Sequence, residues 1–464
     1  MNAPGSLTEG SISSGMIRFS LPILFANVLQ SLNGSVNSIW VGRFLGEAAL
    51  TATSNANTVM FLLIGASFGI GMAATILVAQ SVGARDLPEA KRIVGTSATF
   101  FFLISVVFAV CGWIWVDAIL TGLGTPADAL PLARSYLRII FVAVPMMNLL
   151  SFVMTVLRGA GDSKTPFYFM ALSVAIDIAL NPVFIFGLGP IPRLGIAGSA
   201  IATLLAQVIS LVALLIHLYR RRHPLILHKE EIRHLRLDWA IVGTLIKKGI
   251  PMGAQMLVVS FSAVLMIALV NNFGVDTTAA FGAALQLWNY IQMPAFAVGM
   301  GVSAMAAQNV GARKWDRVNA IARVGVLYSV ILTGSIVLLI EILDRHAFEL
   351  FLPAGSEALR QASHLNHIVT WSFMFFGVTM VLFGVVRATG AVMAPLFVLS
   401  ISLLVVRFPL AEALIGRFQA DAIWWSFPVS SALASCLAVL YYKYGGWRGA
   451  RMAGGPQNIV APEA

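Results

Sequence analysis

The chain reads as an all-α integral membrane protein: twelve transmembrane helices in two six-helix lobes that are parallel repeats of one another. Three observations predict this. Of 464 residues, 58% are hydrophobic and only 11% charged, whereas soluble domains carry roughly 25% charged residues. Apolar runs of about twenty residues, long enough to cross a hydrocarbon core of roughly 30 Å, recur along the chain. The third is a duplicated phrase: FGIGMAATILVAQSVGAR at Phe68–Arg85 returns as FAVGMGVSAMAAQNVGAR at Phe296–Arg313. Arg158, Gly161 and Pro166 return in the same way as Arg387, Gly390 and Pro395, and Pro22 as Pro251.

The first six apolar runs are 16–40, 52–79, 95–117, 134–157, 166–188 and 195–219. The second six are 243–270, 280–307, 323–344, 364–386, 395–416 and 422–443. Six is even, so both halves enter the membrane from the same side, which makes the repeats parallel. Residues 16–219 form an N-lobe and 243–444 a C-lobe, joined by a basic linker at 220–242. Tails of 1–15 and 445–464 complete the chain. The first tail is Gly/Ser-rich without a basic leader and apolar core, so no cleaved signal peptide is expected and the first span inserts itself.

The net charge of +10 does not point to nucleic acid, because the basic residues sit in short loops between apolar runs. Only Arg43, Arg134, Arg138, Arg193, Arg345, Arg360 and Arg417 flank the odd-numbered loops. Nearly all the others lie at the termini and even-numbered loops, which places both termini in the cytoplasm of a cell (inner) membrane protein. Cys111 and Cys436 lie in apolar runs of different halves, so neither a disulfide framework nor a metal site is expected.

Several motifs have a plainer explanation than the one they suggest. Gly69–Ala74 and Gly299–Ala304 resemble phosphate-binding glycine loops, but both fall inside spans, where small residues let helix backbones approach closely. Asn33-Gly34-Ser35 is a glycosylation sequon inside a span. No catalytic constellation occurs, so no enzyme is expected.

Polar residues within the spans are more informative. Asp177 lies eleven residues from either end of the fifth span, about 16 Å deep at 1.5 Å per residue. A charge there costs roughly 2.5–3.5 kcal/mol on insertion scales. It must therefore face water, carry a proton or hold a partner. Asn181 lies one turn on, and Pro182 leaves a helix carbonyl free. Together these suit a proton or small-cation site. Gln30, Asn33 and Asn37 in the first span and Asn57 in the second could line the same cavity. Gln255 and Ser260 in the seventh span, with Gln286, Asn289 and Met293 in the eighth, make a second polar and soft-walled face for a large apolar cation. Pro22, Pro182, Pro251 and Pro294 are candidate kinks. Arg407, in the eleventh span near Pro409, needs an anion or several carbonyls.

Taken together, Leu21-Pro22 with Ile250-Pro251, IWVGRFLG at Ile39–Gly46, the two AQ-x-x-GA copies, LRGAGDSKTP at Leu157–Pro166 and VRATGAVMAP at Val386–Pro395 resemble the multidrug and toxic compound extrusion (MATE) family over nearly the whole chain. The resemblance implies a V-shaped pair of lobes with a central cleft. It also implies a secondary-active exporter of amphipathic organic cations, antiporting H⁺ by alternating access and using no cofactor beyond the coupling ion; the two fused halves already make a complete cleft, so a monomer is expected. Small molecules and membrane lipid are the expected partners. Carried over by position, the proton-linked relatives' N-lobe cluster falls on Asn37, Tyr136, Asp177 and Asn181. The chain departs from that pattern in three ways. The first-helix acid is an amide, the fifth-helix pair is in swapped order, and the acids of the seventh and tenth helices are replaced by residues near Val259 and Phe376. Asp177 is left as the one deep carboxylate, which favours H⁺ because Na⁺ prefers more charged oxygen. The alternatives are a Na⁺-coupled antiporter and a lipid-linked oligosaccharide flippase of the same superfamily.

Overall fold

A computed structural model describes residues 7–187, 189, 192–450 and 452, without the side chains of 62, 64 and 66. Residues 1–6 of the first tail and most of the expected C-terminal tail lie outside the described residues. The first half consists of α1 (Ile12–Leu45), α2 (Glu47–Gly83), α3 (Leu87–Ile114), the short α4 (Val116–Gly122), α5 (Leu130–Gly159), α6 (Lys164–Phe186) and α7 (Ile196–Arg220). A 3₁₀ turn at Lys229–Leu235 precedes the second half. That half contains α8 (Trp239–Asn271), α9 (Val275–Gly311), α10 (Trp315–Glu349), α11 (Glu357–Val369), α12 (Ser372–Ala388), α13 (Met393–Ser400), α14 (Phe408–Phe418) and α15 (Ala420–Tyr444). Among the described residues there is no strand.

Among the described residues, ten helical stretches, Met393–Phe418 among them, are long and apolar enough to cross a membrane. The tenth expected span is bent by 46° between α11 and α12, and the second is α2, of which Ser67–Gly83 is apolar. The eleventh span is not one regular helix. Ile401–Arg407 is a π-helix between α13 and α14. Pro409, two residues beyond it, has no N–H to close the regular ladder, and a wide turn is one way a helix absorbs that.

The internal repeat extends to the backbone. Arg85 and Arg313, which end the two copies, both adopt left-handed φ, at 61° and 59°. Gly46 and Gly274, which open α2 and α9, have φ of 89° and 93°. Gly161 and Gly390 have φ of 95° and 97°. Small residues act as expected in the helix packing. A Cβ on Gly384 of α12 would lie 2.8 Å from the Gly299 carbonyl of α9. One on Gly159 of α5 would lie 2.8 Å from the Thr75 carbonyl of α2.

The chain forms two compact units. The first is Phe25–Gly249. Its apolar clusters join α2 to α5 through Ala52, Ala56, Leu137 and Phe141, and α5 to α7 through Leu150, Met154, Leu211 and Leu214. The linker belongs to this unit. Lys91 of α3 is 2.8 Å from Glu231, and Thr99 donates to the Leu235 carbonyl at 2.8 Å. The second unit is 250–452 together with 7–24. Its core gathers Phe281, Trp288, Phe373 and Trp424 from α9, α12 and α15. The first tail is tied into it, with Leu7 N–H donating to Gln308 at 3.0 Å and Lys314 donating to the Thr8 carbonyl at 3.0 Å. Helices α1 and α8 thus each change unit part-way, at 24/25 and 249/250, within three residues of Pro22 and Pro251.

Candidate functional site

The centre of the first unit holds a polar cluster assembled by three helices. Asp177 on α6 is 2% exposed and Asn181, one turn on, is 0% exposed. Asn33 and Asn37, one turn apart on α1, both donate their side-chain amides to Asp177 Oδ2, at 2.9 and 3.0 Å. Asn181 donates to Asp177 Oδ1 at 3.2 Å and to Asn37 Oδ1 at 2.9 Å. Thr203 on α7 completes the set, donating its hydroxyl to Asp177 Oδ1 at 3.1 Å. Four donors therefore meet the two carboxylate oxygens, which is the complement of an ionised acid rather than a protonated one. The amide oxygens of Asn33 and Asn181 are buried without a hydrogen-bond partner.

Sequence spacing identified Asp177, Asn181, Asn33 and Asn37, because i, i+4 pairs share a helix face. It missed Thr203, which lies twenty-six residues along in an apolar span with no motif around it. Tyr136 on α5 is within range of the Asp177 charge, but it packs against the apolar cluster around Leu137 and Phe141 and makes no hydrogen bond to the acid. Gln30 and Asn57 are exposed and unengaged.

In the second unit the expected polar face divides. Gln286 and Asn289 are exposed on α9, with Met293 half-buried beside them on the same face. Gln255 is instead buried in internal contacts, accepting from Arg387 at 3.2 Å and donating to the Val392 carbonyl at 3.3 Å. Ser260 donates to the Met256 carbonyl of its own helix at 2.8 Å. All four candidate kink prolines lie inside helices, Pro22 in α1, Pro182 in α6, Pro251 in α8 and Pro294 in α9.

Asp177 is not the only buried acid. Asp344 on α10 is 7% exposed and accepts from Asn366 at 3.1 Å. Trp288 donates to the same Asn366 at 3.4 Å. This pair was not legible because Asp344 closes its apolar run, where an acid ordinarily reaches water. Arg407 is half-buried, donates Nε to Ser430 at 2.8 Å and lies 4.4 Å above the Phe427 ring.

Comparison with known proteins agrees with this architecture. The MatE family model matches twice, over residues 22–183 and 251–412, once per half. The chain is 37% identical over 439 residues to the "Probable multidrug resistance protein YoeA" of Bacillus subtilis, covering 94% of this chain and 95% of that one. It is 26% identical over 312 residues to an "FAD transporter" of Shewanella oneidensis, covering 67% and 68%. Among solved structures, a MATE protein crystallised with MaD3S superposes with a TM-score of 0.88 at 19% identity, covering 96% and 98% of the two chains. A variant of the Vibrio cholerae MATE transporter VcmN gives 0.86 at 20% identity, covering 93% and 96%. Two copies of one family model, one in each half, establish that this chain is a multi-pass membrane protein belonging to the MatE family of transporters.

Proposed function

We propose that the chain is a secondary-active multidrug exporter that exchanges amphipathic organic cations for H⁺ across the inner cell membrane by alternating access. Both termini are cytoplasmic in this reading, and a single chain suffices. Relatives named as multidrug resistance proteins support the substrate class. The observation that carries the coupling is the four-donor cluster on Asp177.

A proton arriving at Asp177 turns one accepting oxygen into a donor. One of the amides on Oδ2 must then withdraw or rotate. Asn33 can rotate its amide, because its own oxygen is buried and unpartnered and can accept from the new hydroxyl. Protonation therefore changes how α1 is bound to α6, and a differential interaction of this kind is what a coupling ion needs in order to shift a conformational equilibrium. Neutralising Asp177 also removes the countercharge that retains a cationic substrate, so that proton entry favours substrate release.

One observation favours Na⁺ as the alternative ion. The unpartnered oxygens of Asn33 and Asn181 stand beside a carboxylate, and Na⁺ is a hard cation that prefers oxygen ligands. The deciding experiment is fluorescent-cation efflux in inside-out vesicles, with wild type beside Asp177→Asn, energised by a pH gradient alone and then by a Na⁺ gradient alone. Efflux driven by the pH gradient and lost in the variant supports H⁺ exchange at Asp177. Efflux only with Na⁺ replaces the ion and keeps the site. A variant that matches wild type under both gradients removes Asp177 from the mechanism.

A further inference from the structure

We propose that Arg407 is the anchor of an organic-anion site in the second unit, taking the carboxylate of an amphipathic acid or zwitterion. The inference extends the exporter reading to a further substrate class and rests on that reading for its physiological meaning.

Arg407 stands one residue beyond the place where the repeat would put a counterpart of Asp177. The two halves run at an offset of 229 through Arg158/Arg387 and Pro166/Pro395. The matched segments 22–183 and 251–412 keep that offset from start to end, which carries Asp177 onto Val406, the residue before Arg407 and inside the π-helix at Ile401–Arg407. The partner helix repeats as well. Gly195 before α7 and Gln419 before α15 share an unusual backbone conformation, with φ, ψ of 58°, −130° and 51°, −133°. Eight residues beyond them stand Thr203 and Phe427. The first unit sets an acid against a hydroxyl, and the second sets a guanidinium against an aromatic ring one residue from the repeat-related place. The charge is inverted between the halves.

The guanidinium is held but not neutralised. Its face lies on Phe427, 4.4 Å from the ring centroid, and Nε is fixed by Ser430. Phe427 is itself backed by Trp288 at 5.5 Å and Phe281 at 6.2 Å. No carboxylate pairs with Arg407 among the described residues, and Nη1 and Nη2 donate to nothing. Glu412, five residues on, is exposed and forms no ion pair with it. Arginine does not shed its proton in proteins, so a fixed positive charge sits near the middle of Met393–Phe418 with two donor groups free. A planar fork of this kind matches a carboxylate or phosphate. At about 16 Å from the nearer end of Met393–Phe418, it is too deep for a lipid headgroup. The aromatic wall beside it suits the apolar body of an amphipath.

The test is equilibrium binding to the purified full-length protein in detergent, read by fluorescence polarisation. The two probes are dansyl-aminoundecanoate and its carboxamide, which differ only in the anionic group. Wild type is expected to prefer the acid at least tenfold. Arg407→Gln is expected to abolish that preference and Arg407→Lys to retain part of it. Ser430→Ala, which releases Nε, is expected to lower it a few-fold, and it serves if Arg407→Gln does not fold. Equal binding of the two probes by wild type, or a preference that survives both Arg407→Gln and Ser430→Ala, overturns the proposal. Cation efflux is scored separately on wild type in vesicles. Acid preference without efflux rejects the exporter reading and leaves the anion site standing, whereas efflux without acid preference does the reverse.

Discussion

Replacing Asp177 in two ways separates its structural role from its coupling role. Asp177→Leu leaves the Nδ2 groups of Asn33 and Asn37 without an acceptor, because among the described residues Asp177 Oδ2 is the one partner of each. Asn181 keeps Asn37 Oδ1 and the Asp177 main-chain carbonyl, and the Thr203 hydroxyl can turn to its own helix. Two stranded half-buried donors, at up to about 1–3 kcal/mol each, predict a loss of up to roughly 2–6 kcal/mol. Asp177→Asn behaves differently. Its amide oxygen can take the Oδ2 place and keep both bonds from α1. Its amide nitrogen then faces the Thr203 hydroxyl, which can accept, and Asn181, whose own oxygen is unpartnered. Only the charge assistance is lost, worth about 1 kcal/mol per bond, and this is offset by not holding a charge at mid-membrane, which costs roughly 2.5–3.5 kcal/mol. The Asn variant should therefore be as stable as wild type within about 1–2 kcal/mol and yet fail to couple. Unfolding midpoints in mixed micelles, beside vesicle efflux, measure both properties. A Leu variant as stable as the Asn variant would refute the assigned hydrogen bonds.

Three other outcomes are expected. Gly384→Ala puts a methyl 2.8 Å from the Gly299 carbonyl, and because backbone cannot yield as a side chain can, a loss of about 1–3 kcal/mol should appear in the same unfolding assay. Arg313→Gly relieves a left-handed φ of 59° and should leave stability unchanged or raise it by up to about 1 kcal/mol, whereas Arg313→Val should lower it. The third concerns His223, in the linker beside an apolar cavity of about 250 Å³ lined by Phe152, Leu218 and Ile226. Burial pushes this imidazole below its usual range, with Asp162 opposing to a lesser degree. Above about pH 6.5 the ring is neutral whether docked or free. As pH falls below that value the free form takes a proton that the docked form resists, so docking weakens. Proteolytic cleavage within 223–236 should accelerate as pH drops from 7 to 5.5, and His223→Phe should remove that dependence.

Much of this was legible in the sequence because the governing signals are local or periodic. Apolar run length marked most of the spans, and the sequence repeat is echoed in the φ angles of Arg85 and Arg313. The i, i+4 spacing on α1 and α6 put four of the five cluster members on the correct faces. The remainder depended on which faces meet. Thr203 is an isolated hydroxyl whose role comes from a neighbouring helix. Gln255 resembles a cavity amide until Arg387 is found opposite it. Asp344 lies at the end of its run, where sequence position alone suggests water. The π-helix depends on the competition between Pro409 and the regular ladder, and the hydropathy of 395–416 does not register it.

The exchanged leading segments of α1 and α8 bear on how such a chain could arise. An ancestral six-helix protein with the same arm would have had no partner within its own chain for the arm to pack on. Two copies lending arms to each other would have met that need, which is how domain-swapped homodimers form. Because both copies enter the membrane from the same side, joining them required only a linker, with no added span to reverse one of them. The present protein is then a dimer made permanent by gene fusion. If so, halves cut within the linker and expressed together should complement each other, while either half alone should be cleared by the cell.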